Sequence, residues 1–377
     1  MAEVNMEQLL NCAFCPNMCR NECPVVQTLG REAVAPSGKA RIAALTGQGH
    51  LDWDEAMLEA VANCLGCRGC TIHCPFEELN LCDELTFSRL PAGKEGLSLP
   101  GWDPYLNNLR RYSSPYGQKK DPVIKHGQGA EVLVFNGCTA LANNPASIEA
   151  AASLLDKAGV SYQMIEEDCC GYPAEVWGDL ALAEQLASEN RRKFAESGAS
   201  VLLTNCPECW SVFTRRYADW GAPLSLEISD GPSFFLQLIR EGKLNLGGEV
   251  NEIAGLLDAF GIRADKNDGK LALSYHDPCI WARTAEKVDQ PREILQSIPG
   301  IAIEEPAASR ENTRCCGGGS MFQLAFPATA AAIAGRRLGE FPPQAPIVTA
   351  CPFCREGLKQ EEKPVLELVE VLDRCCK

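Results

Sequence analysis

The sequence predicts an α+β multidomain protein, with a helical N-terminal domain followed by two pseudo-symmetric α/β modules. Three observations carry this expectation. Cysteine runs at 12–23 and 64–74 stand beside segments of helical character. Beyond residue 130, strand-like runs alternate with helical ones. Within that second region one cysteine pattern occurs twice. The expected domains are 1–120, 121–255 and 256–377.

The helical part rests on two segments. Asp52–Cys64 (DWDEAMLEAVANC) has an aspartate cap, early acids and apolar residues at helical spacing. Pro36–Leu45 reads as a helix start. It contains Gly38-Lys39, but no glycine stands five residues before Gly38 and no Ser or Thr follows Lys39, so it is not a phosphate loop. Residues 91–129 are rich in Pro, Gly, Ser and charge and read as a linker or wrapping segment.

The α/β part rests on alternation. Strands are expected at Glu131–Phe135, Val201–Thr204, Leu271–Tyr275 and Ile347–Thr349. Helices are expected at Asn144–Ala158, Ala181–Ser197 and Ala328–Leu338. This order implies mostly parallel sheets.

The chain has 21 cysteines. Disulfides fit them badly, because a long chain without a secretory leader builds its own core. Cys64, Cys67, Cys70 and Cys74, followed by Pro75, match the ferredoxin run C-x2-C-x2-C-x3-C-P. Cys12, Cys15, Cys19 and Cys23, followed by Pro24, match it with one extra residue before Cys19. Short spacings wrap three corners of a cubane, and the fourth cysteine reaches across to the other cluster. The expected sets are therefore Cys12, Cys15, Cys19 and Cys74, and Cys64, Cys67, Cys70 and Cys23. Paired four-cysteine zinc sites are the competing reading. Lys39 and Arg41 are candidates to offset cluster charge, or else solvated surface residues.

The repeated pattern is Cys138, Cys169-Cys170-Gly171 and Cys206-Pro-Glu-Cys209, then Cys279, Cys315-Cys316-Gly317 and Cys351-Pro-Phe-Cys354. Matching positions are offset by 141 to 146 residues. Repetition on that scale means two similar modules. Ligands of open α/β sheets sit at the carboxyl ends of strands, so each module is expected to converge five cysteines on one crevice. Five are too many for a structural zinc or a simple cubane. Adjacent cysteines suit neighbouring irons of a larger cluster, and Gly171 and Gly317 would let the backbone approach it. Buried inert thiols are the competing reading for each Cys-Cys pair.

Composition narrows the partners. The net charge of −15 does not attract phosphate backbones, so nucleic acid and anionic membrane are excluded. The N-terminus lacks the basic and apolar regions of a secretory signal, and no apolar run suffices to cross a bilayer. A cytoplasmic location is expected, with any membrane association through a partner.

From Cys12 to about Leu372 these motifs resemble the fused iron–sulfur subunit of heterodisulfide reductase. That subunit joins a helical ferredoxin-like domain to two cysteine-rich modules named for their CCG motif. Relatives include iron–sulfur subunits of glycolate, lactate and glycerol-3-phosphate oxidoreductases. The resemblance implies two cubane and two noncubane 4Fe–4S clusters. It assigns Cys138, Cys169, Cys170, Cys206 and Cys209 to one noncubane cluster, and Cys279, Cys315, Cys316, Cys351 and Cys354 to the other. It implies partner subunits carrying flavin or another redox group, and a disulfide as the candidate substrate. The complete Cys206/Cys209 and Cys351/Cys354 elements favour the disulfide-reducing branch. Tyr275-His276-Asp277-Pro278-Cys279 looks like the family's approach to its second module. His276 is the candidate proton donor to a leaving thiolate, against a hydrogen-bonding or plain structural role. Cys82 is expected to be buried and inert, and Cys375-Cys376 to lie at a frayed end.

Two functions remain in view. One is an electron-carrying subunit that reduces a disulfide. The other is a pure relay inside a larger anaerobic complex with a flavin or Mo/W partner. A sensor or scaffold with structural clusters stands behind both.

Overall fold

The computed structural model describes residues 4–16, 18–76, 79–117, 129–247, 266–267, 270–359 and 364–377. The expected domain boundaries near 120 and 255 lie outside these residues.

The N-terminal part is helical. Helices Met6–Ala13, Pro36–Gly47, Glu55–Ala62 and Leu81–Lys94 pack on one another. Ala40, Ala43 and Ala44 bring one face of Pro36–Gly47 close to Met6–Ala13, and Leu9, Val61 and Leu85 fill the remaining core. Asp54, rather than Asp52, caps its helix by accepting from the Met57 amide at 2.7 Å. The linker expected from residue 91 onward is partly helix. Pro91 stands inside Leu81–Lys94, and Asp103–Tyr112 is an amphipathic helix whose Leu106 and Leu109 are buried. Residues 118–128 lie outside the description.

Two parallel sheets follow. In the first, β1 (Val132–Phe135), β2 (Tyr162–Met164), β3 (Val201–Thr204) and β4 (Glu227–Asp230) lie in the order β2-β1-β3-β4. The second adds β5 (Lys266–Asn267), β6 (Lys270–His276), β7 (Ile301–Ile303), β8 (Ile347–Thr349) and β9 (Val365–Glu367). Apart from the short antiparallel β5, its order β7-β6-β8-β9 repeats that of the first. The central strands β1, β3, β6 and β8 carry the continuous apolar runs legible in the sequence. The outer strands escaped notice because they are short and mixed, as in Tyr-Gln-Met and Glu-Ile-Ser-Asp.

The modules interlock reciprocally. Helix Pro145–Lys157 of the first packs on Leu368–Cys375 of the second, and Gly231–Arg240 of the first packs on Gln290–Gln296 of the second. Leu154, Leu155, Phe235, Leu295 and Leu372 share one core. The C-terminus is therefore not frayed. Cys375 and Cys376 are buried, Cys376 pairs with Leu246, and Lys157 Nζ donates to the Cys376 carbonyl at 2.9 Å. None of the 21 cysteines is in a disulfide.

Candidate functional site: four cysteine cages

Helix ends and tight turns aim the N-terminal cysteines. Cys12 stands in the last turn of Met6–Ala13, and Cys23 precedes helix Pro24–Leu29 with Pro24 at its first position. Gly66 and Arg68, both left-handed (φ 63° and 56°), turn the chain through Cys64, Cys67 and Cys70. One cavity is lined by Cys12, Cys15, Cys19 and Cys74, with Cys70 at its border. A second is lined by Cys23, Cys64, Cys67 and Cys70. Cys82 lines it too, a fifth thiol that the spacing did not single out.

Lys39 tests what these cavities hold. It is 2% exposed and sits among the sulfurs of Cys23, Cys64, Cys70 and Cys82. Burial disfavours its ammonium, yet these sulfurs outweigh burial and raise its pKa. A buried cation among neutral thiols is costly, whereas cysteinates on an anionic iron–sulfur cluster satisfy it. The donor set and the cation both fit a cluster. Arg41 is not solvated either, but it faces the backbone, donating to the Ala13 carbonyl at 2.9 Å.

Each α/β module gathers five sulfurs beyond the carboxyl ends of its central strands. Cys138 Sγ lies 3.9 Å from Cys169 Sγ. Cys169 and Cys209 both hydrogen-bond Cys170, and Cys209 also reaches Cys206. In the second module Cys279 meets Cys315, while Cys315 and Cys354 hydrogen-bond Cys316, and Cys354 reaches Cys351. All ten are buried. The Cys-Pro-x-Cys elements work identically. Cys206 and Cys351 cap helices Pro207–Arg215 and Pro352–Leu358, accepting from the Cys209 and Cys354 amides at 3.5 and 3.4 Å. Helix N-termini favour the anionic sulfur.

Burial pushes the Cys206 thiol up to about 11 and Cys351 upward as well. Cys170 and Cys316 go the other way, because two neighbouring thiols hydrogen-bond each. The second cysteine of each pair is thus the easiest to ionise.

The glycine of each CCG motif has a different reason from the expected one. Gly171 and Gly317 take φ 95° and 89°, and a Cβ there would meet the Ala183 and Ala330 carbonyl oxygens at 3.1 and 2.7 Å. They admit a packed helix. Close approach to a cage belongs to Gly137, whose Cβ would lie 3.3 Å from Cys209 Sγ.

The cages adjoin. Arg283 donates to the Cys67 carbonyl at 2.6 Å and to the carbonyls of Glu311 and Thr313, drawing the Cys67 loop onto the second module. Cys67 and Cys315 come within hydrogen-bonding reach. The two five-cysteine cages meet at Glu208, whose Oε2 accepts from Cys351 Sγ at 4.0 Å. Glu208 also faces Cys170, Cys279 and Cys316, and burial pushes its carboxyl up to about 7. Sequence reasoning missed Glu208. The available signal was an acid inside Cys-Pro-Glu-Cys where the other copy has Phe353.

His276 ends β6 at the register held by Phe135 in β1. It is 1% exposed, and one ring nitrogen lies within 4.8 Å of the Cys316 and Cys354 sulfurs. Arg337 Nε approaches Nδ1 at 3.3 Å, which places the ring proton on Nε2. Nε2 is buried without a protein partner. Burial and the neighbouring Arg337 hold the ring's pKa well below its ordinary value.

Comparison with known proteins gives these cages their chemistry. Residues 8–77 match the 4Fe-4S dicluster domain, and residues 132–214 and 273–359 each match the cysteine-rich domain CCG. The chain belongs to the CCG iron–sulfur family. It is an iron–sulfur electron-transfer subunit, homologous to a subunit of the methanogen heterodisulfide reductases. The homologous subunit of the dihydromethanophenazine:CoB–CoM heterodisulfide reductase of Methanosarcina mazei is 29% identical over 71% of this chain and 63% of its own. The EtfAB:quinone oxidoreductase of Syntrophomonas wolfei is 26% identical over 85% of this chain and 47% of its own. One subunit of the fumarate reductase (CoM/CoB) of Methanothermobacter marburgensis is 25% identical over 97% of this chain and 72% of its own. The iron–sulfur chain thus spans between about half and three quarters of these relatives. Among its described residues no helix is long and apolar enough to cross a membrane.

Proposed function

We propose that this chain is the iron–sulfur subunit of a heterodisulfide reductase-like complex in the cytoplasm, and that its two CCG modules together reduce a disulfide. Cys12, Cys15, Cys19 and Cys74 hold one cubane 4Fe–4S cluster, and Cys23, Cys64, Cys67 and Cys70 the other. The five cysteines of each CCG module hold a noncubane 4Fe–4S cluster. When bound, the clusters supply one-electron storage and transfer, and the noncubane pair supplies the two electrons that part a disulfide.

The observation that carries this reading is the pair of complete five-cysteine cages meeting at Glu208. A disulfide has two sulfurs to receive, and two adjoining cages offer two places. Cys67 beside Cys315 sets the cages in series from the N-terminal domain to the second module. The sequence shows no flavin or nucleotide motif, so electrons come from a flavin-containing or other redox subunit.

In this reading His276 is a positioning residue, not the proton donor first expected of it. A ring held neutral by burial and Arg337 is a poor acid. Its Nε2–H is instead free to donate to sulfur in the second cage. His276→Phe copies the Phe135 arrangement of the first module. Its expected result is full iron content with the second module's potential lowered by on the order of 50 mV, the scale of part of one charge-assisted hydrogen bond. An unchanged potential in a redox titration would remove the role.

The relay reading has its own support in the similarity to EtfAB:quinone oxidoreductase. Iron and acid-labile sulfide on anaerobically purified protein come first, and about 16 of each per chain are expected. Low-molecular-weight disulfides are then offered with an artificial reductant. Turnover, with spectral change on adding thiols, supports disulfide reduction. Full iron with neither leaves the relay.

A further inference from the structure

We propose that Cys82 is a reserve ligand of the second cubane cage. The inference rests on the assignment of a cubane to Cys23, Cys64, Cys67 and Cys70. A cubane takes four cysteinates, and this cavity is lined by five cysteines. Cys82 lies within hydrogen-bonding reach of both Cys64 and Cys70 and is 6% exposed. Lys39, the buried cation of the cage, faces Cys82 as it faces the assigned ligands.

The position of Cys82 is held from outside. It stands in the first turn of helix Leu81–Lys94, between buried Leu81 and Leu85. The next residue, Asp83, is bound by Arg215 at 2.5 Å and by Arg68 and Arg216 at 3.1 Å. Burial opposes the Asp83 charge, but these guanidinium groups win and hold its carboxyl below the usual range. Arg68 belongs to the Cys67–Cys70 turn itself, so the same aspartate ties that turn to the Cys82 helix.

Cys67 is the assigned ligand with a competing partner, because Cys315 of the next cage lies within its hydrogen-bonding reach. Exchange is balanced without any oxidant. The iron–sulfur bond to Cys67 breaks, one to Cys82 forms, and the Cys82 thiol proton passes to the Cys67 sulfur. With Cys67 ligated, Cys82 remains a thiol that donates to the ligating sulfurs beside it.

The test compares Cys67→Ala, Cys82→Ala, the double variant and Cys15→Ala in the full-length chain, by iron and sulfide content and by the electron paramagnetic resonance of the reduced protein. Cys67→Ala is expected to keep the wild-type iron with a changed spectrum. Cys82→Ala keeps the iron too, with a more negative cubane potential. The double variant loses about four irons. Cys15→Ala, whose cavity has no comparable unassigned thiol, also loses about four. Equal iron loss in Cys67→Ala and the double variant overturns the reserve role. Full iron in Cys15→Ala overturns the cubane assignment instead. Cys82→Val repeats the comparison with the cage filled, should alanine impair folding.

Discussion

Cys170→Ser and Cys316→Ser should each lower the iron content from about 16 to about 12 per chain. Each residue is the second cysteine of a CCG pair, the one hydrogen-bonded by two other thiols of its cage. Its removal opens the middle of the sulfur chain, where no other cysteine of the module reaches. The near-identity of the two cages makes equal iron losses the expected outcome. Their functional consequences differ. Disulfide turnover should vanish in both, since two sulfurs need two cages. Reoxidation of the cubanes by a downstream acceptor should suffer chiefly in Cys316→Ser, because Cys67 adjoins Cys315. Iron and sulfide assays with stopped-flow reoxidation read all of this. Retention of disulfide turnover in either variant would refute the paired-cage mechanism.

Removal of the clusters by chelation under reducing conditions should unfold the N-terminal domain and spare the sheets. The N-terminal core is small, with four leucines, one valine and a set of alanines beside Cys12. Its helices run from four residues (Gly69–Ile72) to 14 (Leu81–Lys94), lengths that are marginal in isolation. A structural metal site can supply on the order of 10 kcal/mol of apparent folding free energy. A domain's whole stability is about 5–15 kcal/mol, so two lost clusters exceed what such a core can replace. The modules share a much larger core, with Leu133, Leu202, Leu273 and Val348 on central strands. Circular dichroism should lose helical signal, and limited proteolysis should cut first within residues 4–76. A metal-free chain that resists proteolysis there would show that packing alone suffices.

Much of this organisation could be read before any coordinates. Val-Leu-Val-Phe and Val-Leu-Leu-Thr are buried strands because parallel sheets cover both faces of their central strands. Pro145 and Gly198 mark a helix start and a helix end in accord with their backbone constraints. Other features resisted. Pro91 suggested a linker, but the surrounding helix is held by tertiary burial of Leu85, Leu90 and Ala92. Cys375 and Cys376 looked frayed because helix Pro145–Lys157, which covers them, is remote in sequence.

The sequence by itself determined the modular plan, the two sheets and which cysteines form local groups. Those depend on period, on turn residues and on cysteines three or four apart, which a single loop or helix end aims at one place. Only the tertiary structure decided how the cages adjoin, that Cys82 and Lys39 enter one of them, that Glu208 stands between two, and that His276 is neutral. Each of these depends on side chains from distant segments meeting in a buried space, where desolvation and a few charged neighbours set the chemistry, and no local spacing encodes that meeting.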